Sequence, residues 1–172
     1  MDMIKAVSDR LLELCKKRNI TVNRLANLSA VPPSTVKNIV YGLSKNPKII
    51  TIKMLCDGLE ITLADFFDTP SFNSNTENIS NRKFENKTES GSINTLAAVK
   101  YRILQLCESN QIPIYKLEEL TGVPTVTINN ILYGKSMNPK INTIKQICDG
   151  LGITLAEFFD TDEFNNLEQE IK

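Results

Sequence analysis

The sequence predicts an all-α protein built from two tandem five-helix units, and three observations carry that prediction. Residues 7–69 align without a gap on residues 99–161, with 35 of 63 positions identical. Within each copy the apolar residues recur at helical spacing, and no stretch alternates as a strand would. Helix-stopping residues also recur in register: Pro32 and Pro124, Gly42 and Gly134, Asn46-Pro47 and Asn138-Pro139. A repeat of this length exceeds the roughly 50 residues of solenoid units, so the chain contains a duplicated domain.

The elements follow in order. Ile4, Val7, Leu11 and Leu14 share one face of a first helix over residues 2–18,. Asn19-Ile20 interrupts it, and Thr21 suits the N-cap of a short second helix over 22–28,. Ala30-Val31-Pro32-Pro33 makes a turn, after which Pro33 opens a third helix that runs to Tyr41 and stops at Gly42,. A polar loop over 43–48 precedes a fourth helix over 50–59. Thr62 then starts a fifth, anchored by Leu63, Phe66 and Phe67. In the second copy Thr154 and Glu157 form a capping box, of which Thr62 and Asp65 are the weaker counterpart,.

Residues 70–98 are dominated by Ser, Asn, Thr, Glu and Lys, with Phe72, Ile79 and Phe84 isolated among them. Such a composition predicts a flexible polar linker, with a reach of roughly 27–32 Å. The domains are therefore 1–69, a linker over 70–98, and 99–172. Past Thr161, the spacing of Phe164, Leu167 and Ile171 predicts a short amphipathic tail helix folding back on its own domain,.

Formal charge is zero over 172 residues, but that sum conceals an asymmetry. Residues 1–69 carry ten Lys/Arg against seven Asp/Glu, and residues 99–172 carry seven against ten. One unit is basic and the other acidic. Histidine and tryptophan are absent, and the four cysteines form two equivalent pairs, Cys15/Cys107 and Cys56/Cys148, on apolar helical faces. Without close Cys pairs or His, the expectation is buried reduced thiols and no metal site. No apolar run approaches the ~20 residues of a membrane span and no signal peptide is evident, which together predict a cytoplasmic protein. No His base, Gly-rich phosphate loop or metal-ligand cluster is present to support an enzyme, and no cofactor is expected,.

Two short helices joined by a four-residue turn make a helix-turn-helix. The segments ITVNRLANLSAVPPSTVKNIVYG and NPKIITIKMLCDGLEITLADFF resemble the lambda-repressor/Cro-like (XRE) helix-turn-helix family. The second copy, IPIYKLEELTGVPTVTINNILYG and NPKINTIKQICDGLGITLAEFF, resembles it in the same register. The resemblance covers each repeat and neither the linker nor the tail. It implies a double-stranded DNA partner, with the third helix of each unit entering the major groove, N-terminal end first.

On that reading Pro33, Ser34, Lys37, Asn38 and Tyr41 face outward in repeat 1. Asn38 can pair with adenine, Ser34 can donate to or accept from a base edge, and Lys37 can reach guanine or phosphate. Thr35, Tyr41, Lys45, Asn46 and Lys48 are candidate phosphate contacts, with Thr21 and the free amides at the starts of helices 2 and 4 adding to them. In repeat 2 the matching set is Thr125, Val126, Thr127, Asn129, Asn130 and Tyr133, with Asn138 and Lys140 in the loop. Asn46-Pro47 also suits a plain turn.

Two departures from the family pattern stand out. Pro32 and Pro124 occupy the position where members usually have a Ser or Thr cap, and the Arg–Glu bridge of several repressors is replaced by Cys15 with Val40 and Cys107 with Leu132. Glu118 and Glu119 replace Ala26 and Asn27, so repeat 2 is expected to bind DNA more weakly,. The expected function is a sequence-specific transcriptional regulator, a repressor, reading two half-sites. The alternative is a DNA-tethered adaptor, antirepressor- or antitoxin-like, whose second repeat and tail bind a protein partner or another copy.

Overall fold

In the computed structural model, which describes residues 2–72, 94–136 and 138–167, both repeats fold in the predicted element order. Repeat 1 comprises α1 (Met3–Lys17), α2 (Val22–Leu28), α3 (Pro33–Val40), α4 (Ile49–Gly58) and α5 (Leu63–Phe67). Repeat 2 comprises α6 (Thr95–Ser109), α7 (Leu117–Thr121), α8 (Thr125–Leu132), α9 (Ile141–Leu151) and α10 (Leu155–Phe159), followed by α11 (Asp162–Asn165).

The caps expected at Thr21, Thr62 and Thr154 form, and Asp2 and Asn94 supply two more. The Asp2 carboxylate accepts from the Ile4 amide at 3.0 Å, and the Thr21 hydroxyl accepts from the Arg24 amide at 3.1 Å,. Thr62/Asp65 and Thr154/Glu157 both form complete capping boxes, so the pair with Asp is no less closed than the pair with Glu,. In repeat 2 Pro113 replaces Thr21 and offers no side-chain cap. The second helix there opens with a 3-10 turn over Ile114–Lys116 before α7 begins,.

Each core is assembled from equivalent positions. Leu11, Leu25, Val36, Ile39, Ile52, Leu55, Phe66 and Phe67 are buried in repeat 1. Ile103, Leu117, Ile128, Ile131, Ile144, Ile147, Phe158 and Phe159 match them in repeat 2. All four cysteines are buried free thiols, and burial pushes each of them above the ordinary thiol range. Cys15 and Val40 lie in the same core, as do Cys107 and Leu132. The Ser8 hydroxyl adds a donor to the Val40 carbonyl, tying α1 to the end of α3.

Arg10 and Arg102 occupy equivalent positions and close each bundle. Arg10 donates to the Phe66 and Asp65 carbonyls at 3.2 and 2.8 Å, and Arg102 donates to the Glu157 carbonyl at 2.9 Å. A guanidinium there satisfies carbonyls of the short fifth helix that have no intrahelical partner.

The linker prediction needs correction at both ends. Helix α6 starts at Thr95, with Asn94 accepting from the Ala97 amide at 2.9 Å, and Thr95 and Ala98 are buried. At the other end Phe72 is 2% exposed and packs edge-on to Phe67 at 5.0 Å between ring centroids. Phe72 stands where repeat 2 has Phe164, which packs on Phe159 at the same distance. Both repeats therefore extend one aromatic residue past their last identical threonine. Residues 73–93 lie outside the described residues. In the tail, Phe164 is buried and Leu167 partly buried against the core, but α11 ends at Asn165 and does not carry Leu167, and Ile171 lies outside the described residues.

The repeats meet along a reciprocal seam. The Ile49 amide donates to the Pro139 carbonyl at 3.0 Å, and the equivalent Ile141 amide donates to the Pro47 carbonyl at 3.1 Å. Asn138 Oδ1 accepts from the Ile50 amide and Asn46 Oδ1 from the Asn142 amide, both at 3.2 Å. Lys48 and Lys140 face each other across an antiparallel bridge. Phe67 stacks on Phe159 at 5.4 Å with 20° between the ring planes. Contacts in which i meets j and j meets i are those of a two-fold pair. Here one chain supplies both partners.

Candidate nucleic-acid interface

The recognition helices are positioned by the core beneath them. Val36, Ile39 and Val40 are buried on the inner side of α3, as are Ile128, Ile131 and Leu132 on α8. That leaves Pro33, Ser34, Lys37 and Asn38 exposed in repeat 1. In repeat 2 Val126 is exposed, while Thr125, Thr127, Asn129 and Asn130 are half-buried. Thr35 is half-buried as well. Tyr41 and Tyr133 cap the C-terminal ends of these helices and are 69% and 74% exposed. Val126 is 70% exposed, a large figure for an aliphatic side chain with no neighbour to cover it. It suits a methyl-bearing base edge.

The turn that sets the angle between the two helices requires a left-handed residue. Ala30 adopts φ 50° in repeat 1 and Gly122 φ 68° in repeat 2. The Ser44 amide bonds to the Asn38 carbonyl at 2.9 Å, and the Ser136 amide to the Asn130 carbonyl at 2.7 Å. Each loop is thus fastened to its recognition helix. Lys45, Lys48 and Lys140 are exposed along these loops, and Thr21 is exposed while capping α2.

One expectation about the loops comes out differently. The amides at the start of helix 4, expected to be free for phosphate, are engaged by the seam. Asn46 and Asn138, expected to contact phosphate, accept through their Oδ1 atoms from the opposite repeat's fourth helix, so a phosphate contact falls to their Nδ2 donors,. The reason is local. Neither Lys48 nor Lys140 caps its own helix with a side chain, so the unsatisfied amides at those helix starts take acceptors from the neighbouring repeat,. A repeat considered alone gives no sign of this. The duplication supplies the partner.

Glu118 also has a position that the sequence did not indicate. Its Oε2 accepts from the Thr125 amide at 3.1 Å and from the Thr125 hydroxyl, so a residue of α7 caps the recognition helix of repeat 2. These two bonds, the hydroxyl's first, hold its carboxyl below the usual glutamate range. Repeat 1 has nothing equivalent, since Ala26 is buried there and Pro33 has no amide hydrogen to offer,. Among the described residues there is no group of acidic, Cys or His side chains that could hold a metal ion. No helix there is long and apolar enough to cross a membrane.

A short helix, a tight turn and a second helix with an exposed polar face, present twice, define a helix-turn-helix protein. The chain belongs to the Cro/C1-type HTH DNA-binding domain family, whose model matches residues 10–71 and 102–163. It is in consequence a DNA-binding regulator. No curated protein and no solved structure matches the chain.

Proposed function

We propose that the chain is a transcriptional repressor that binds one operator as a single-chain pseudodimer, with α3 in one half-site and α8 in an inverted, unlike half-site. The reciprocal seam carries this reading. Two readers related by a two-fold axis match a site whose halves are inverted, about 34 Å apart. The sequence alone leaves direct and inverted arrangements equally open, because a flexible linker permits both. Joined readers also raise the effective concentration of the second contact.

The base-facing sets differ. Ser34, Lys37 and Asn38 would read one half-site, and Val126, Asn129 and Asn130 the other. Asn38 and Asn130 are equivalent, so an adenine is expected at the same place in both halves. Lys48 and Lys140, two exposed cations opposed on the pseudo-axis, suit phosphates between the half-sites,. Occupying a site of this length excludes other proteins from it, and on that ground we assign a repressing role.

The acidic second repeat favours a second reading, in which only repeat 1 grips DNA and repeat 2 binds a protein. Selection from random duplex DNA by the intact chain separates the two. Inverted, unlike half-sites at fixed spacing support the pseudodimer. A single half-site favours the adaptor, and no enrichment at low salt counts against both.

A further inference from the structure

Repeat 2 has an acceptor at the groove-entering end of its recognition helix that repeat 1 lacks. Glu118 sits in the first turn of α7, seven residues before Thr125, yet its carboxylate is fastened to the first residue of α8. One oxygen, Oε2, takes both Thr125 bonds. The other, Oε1, has no donor among the described residues, and the side chain is exposed. Capping alone needs one oxygen. The second is a spare acceptor on a carboxylate fixed by the first.

An ionised carboxylate accepts only. In the major groove guanine presents N7 and O6 and thymine presents O4, all acceptors that would repel it. Adenine offers an amino group, but with the N7 acceptor beside it. Cytosine presents its N4 amino group with no acceptor on the same ring edge, and carboxylate side chains pair with it. Against the phosphate backbone the same charge would only weaken binding. A cytosine amino group is therefore the DNA feature that turns this charge from a penalty into a contact.

We propose that Glu118 is a specificity-determining residue that selects cytosine at one position of the second half-site. This rests on both repeats reading DNA. Repeat 1, with buried Ala26 and Pro33 in the corresponding places, has no matching preference.

The test is selection from random duplexes by the intact chain and by its Glu118→Gln, Glu118→Ala and Glu119→Gln variants, followed by titration of the retained duplexes. The wild type should enrich cytosine at one position of one half-site, and binding should fall about tenfold when that pair is exchanged for T·A. Glu118→Ala should lose the preference there and keep every other position, while Glu119→Gln should leave the profile intact. Glu118→Gln retains an acceptor for Thr125, so a changed base preference in this variant reports the readout and not a lost cap. An unchanged profile in both Glu118 variants, or a steeper salt slope as the only change, would overturn the proposal. If the wild type enriches a single half-site, or nothing, the two-reader premise itself has failed.

Discussion

Individual residues show where the two copies have diverged under the same geometry. Ala30 and Glu60 hold left-handed φ values of 50° and 51°, where repeat 2 has Gly122 and Gly152 at 68° and 70°. A side chain in that region costs about 1 kcal/mol, and a β-carbon on Gly122 would meet nothing within 4 Å, so conformation alone is at issue,. Ala30→Gly should raise the melting temperature by a few degrees and Gly122→Ala should lower it, both read by calorimetry. Glu118 supplies a second prediction at this scale. Its carboxyl should titrate below the ordinary 4.5 by NMR, and Thr125→Val should move it back up, since the hydroxyl bond is the larger cause. Because the folded value is depressed, the contact is complete above the ordinary glutamate range and is lost as pH falls through the lower folded value. Asn38→Ala should relax base choice at one position by about 1–3 kcal/mol, whereas Lys48→Ala should weaken all sequences alike and flatten the salt slope.

Elements depend on close approach as much as on apolar burial. Helix α4 lies against the end of α2 so tightly that a β-carbon on Gly58 would come within 2.8 Å of the Ser29 amide nitrogen. On Gly150 it would come within 2.5 Å of the Leu120 carbonyl oxygen. Both are helical positions where alanine would otherwise be preferred. Gly58→Ala and Gly150→Ala should each destabilise their repeat by about 1–3 kcal/mol in denaturant titration, from overpacking. At this scale the sequence was informative. Helix order, the third helix opening at Pro33 and ending before Gly42, and the fifth-helix caps all followed from capping chemistry and apolar spacing. The boundaries of the linker did not, because Phe72 and Phe164 are separated from the aligned block by unlike residues, and a single aromatic in a polar stretch carries no period. The 3-10 start of the second helix in repeat 2 was missed because its cause is the absence of a cap at Pro113.

At the scale of the whole molecule the governing feature is the seam, and none of it was legible in either repeat taken singly. Asn46 and Asn138 were singled out correctly as a matched pair. Their bonds to the opposite repeat were not legible, because each loop was read beside DNA and not beside its twin. Each caps the other repeat's fourth helix, a contact typically worth about 0.5–2 kcal/mol,. The Asn46→Ala/Asn138→Ala double variant should therefore retain both folded repeats while the spacing of its selected half-sites loosens. A selected spacing as strict as that of the wild type would mean that the seam does not set the register on DNA.

Whether one chain occupies two inverted half-sites is read by hydroxyl-radical footprinting on the selected duplex, titrated to saturation. Two protected windows should appear together, about one helical turn apart on one face of the DNA, and be complete at one chain per duplex. A single window, or two windows that require a second chain, would rule out the single-chain pseudodimer.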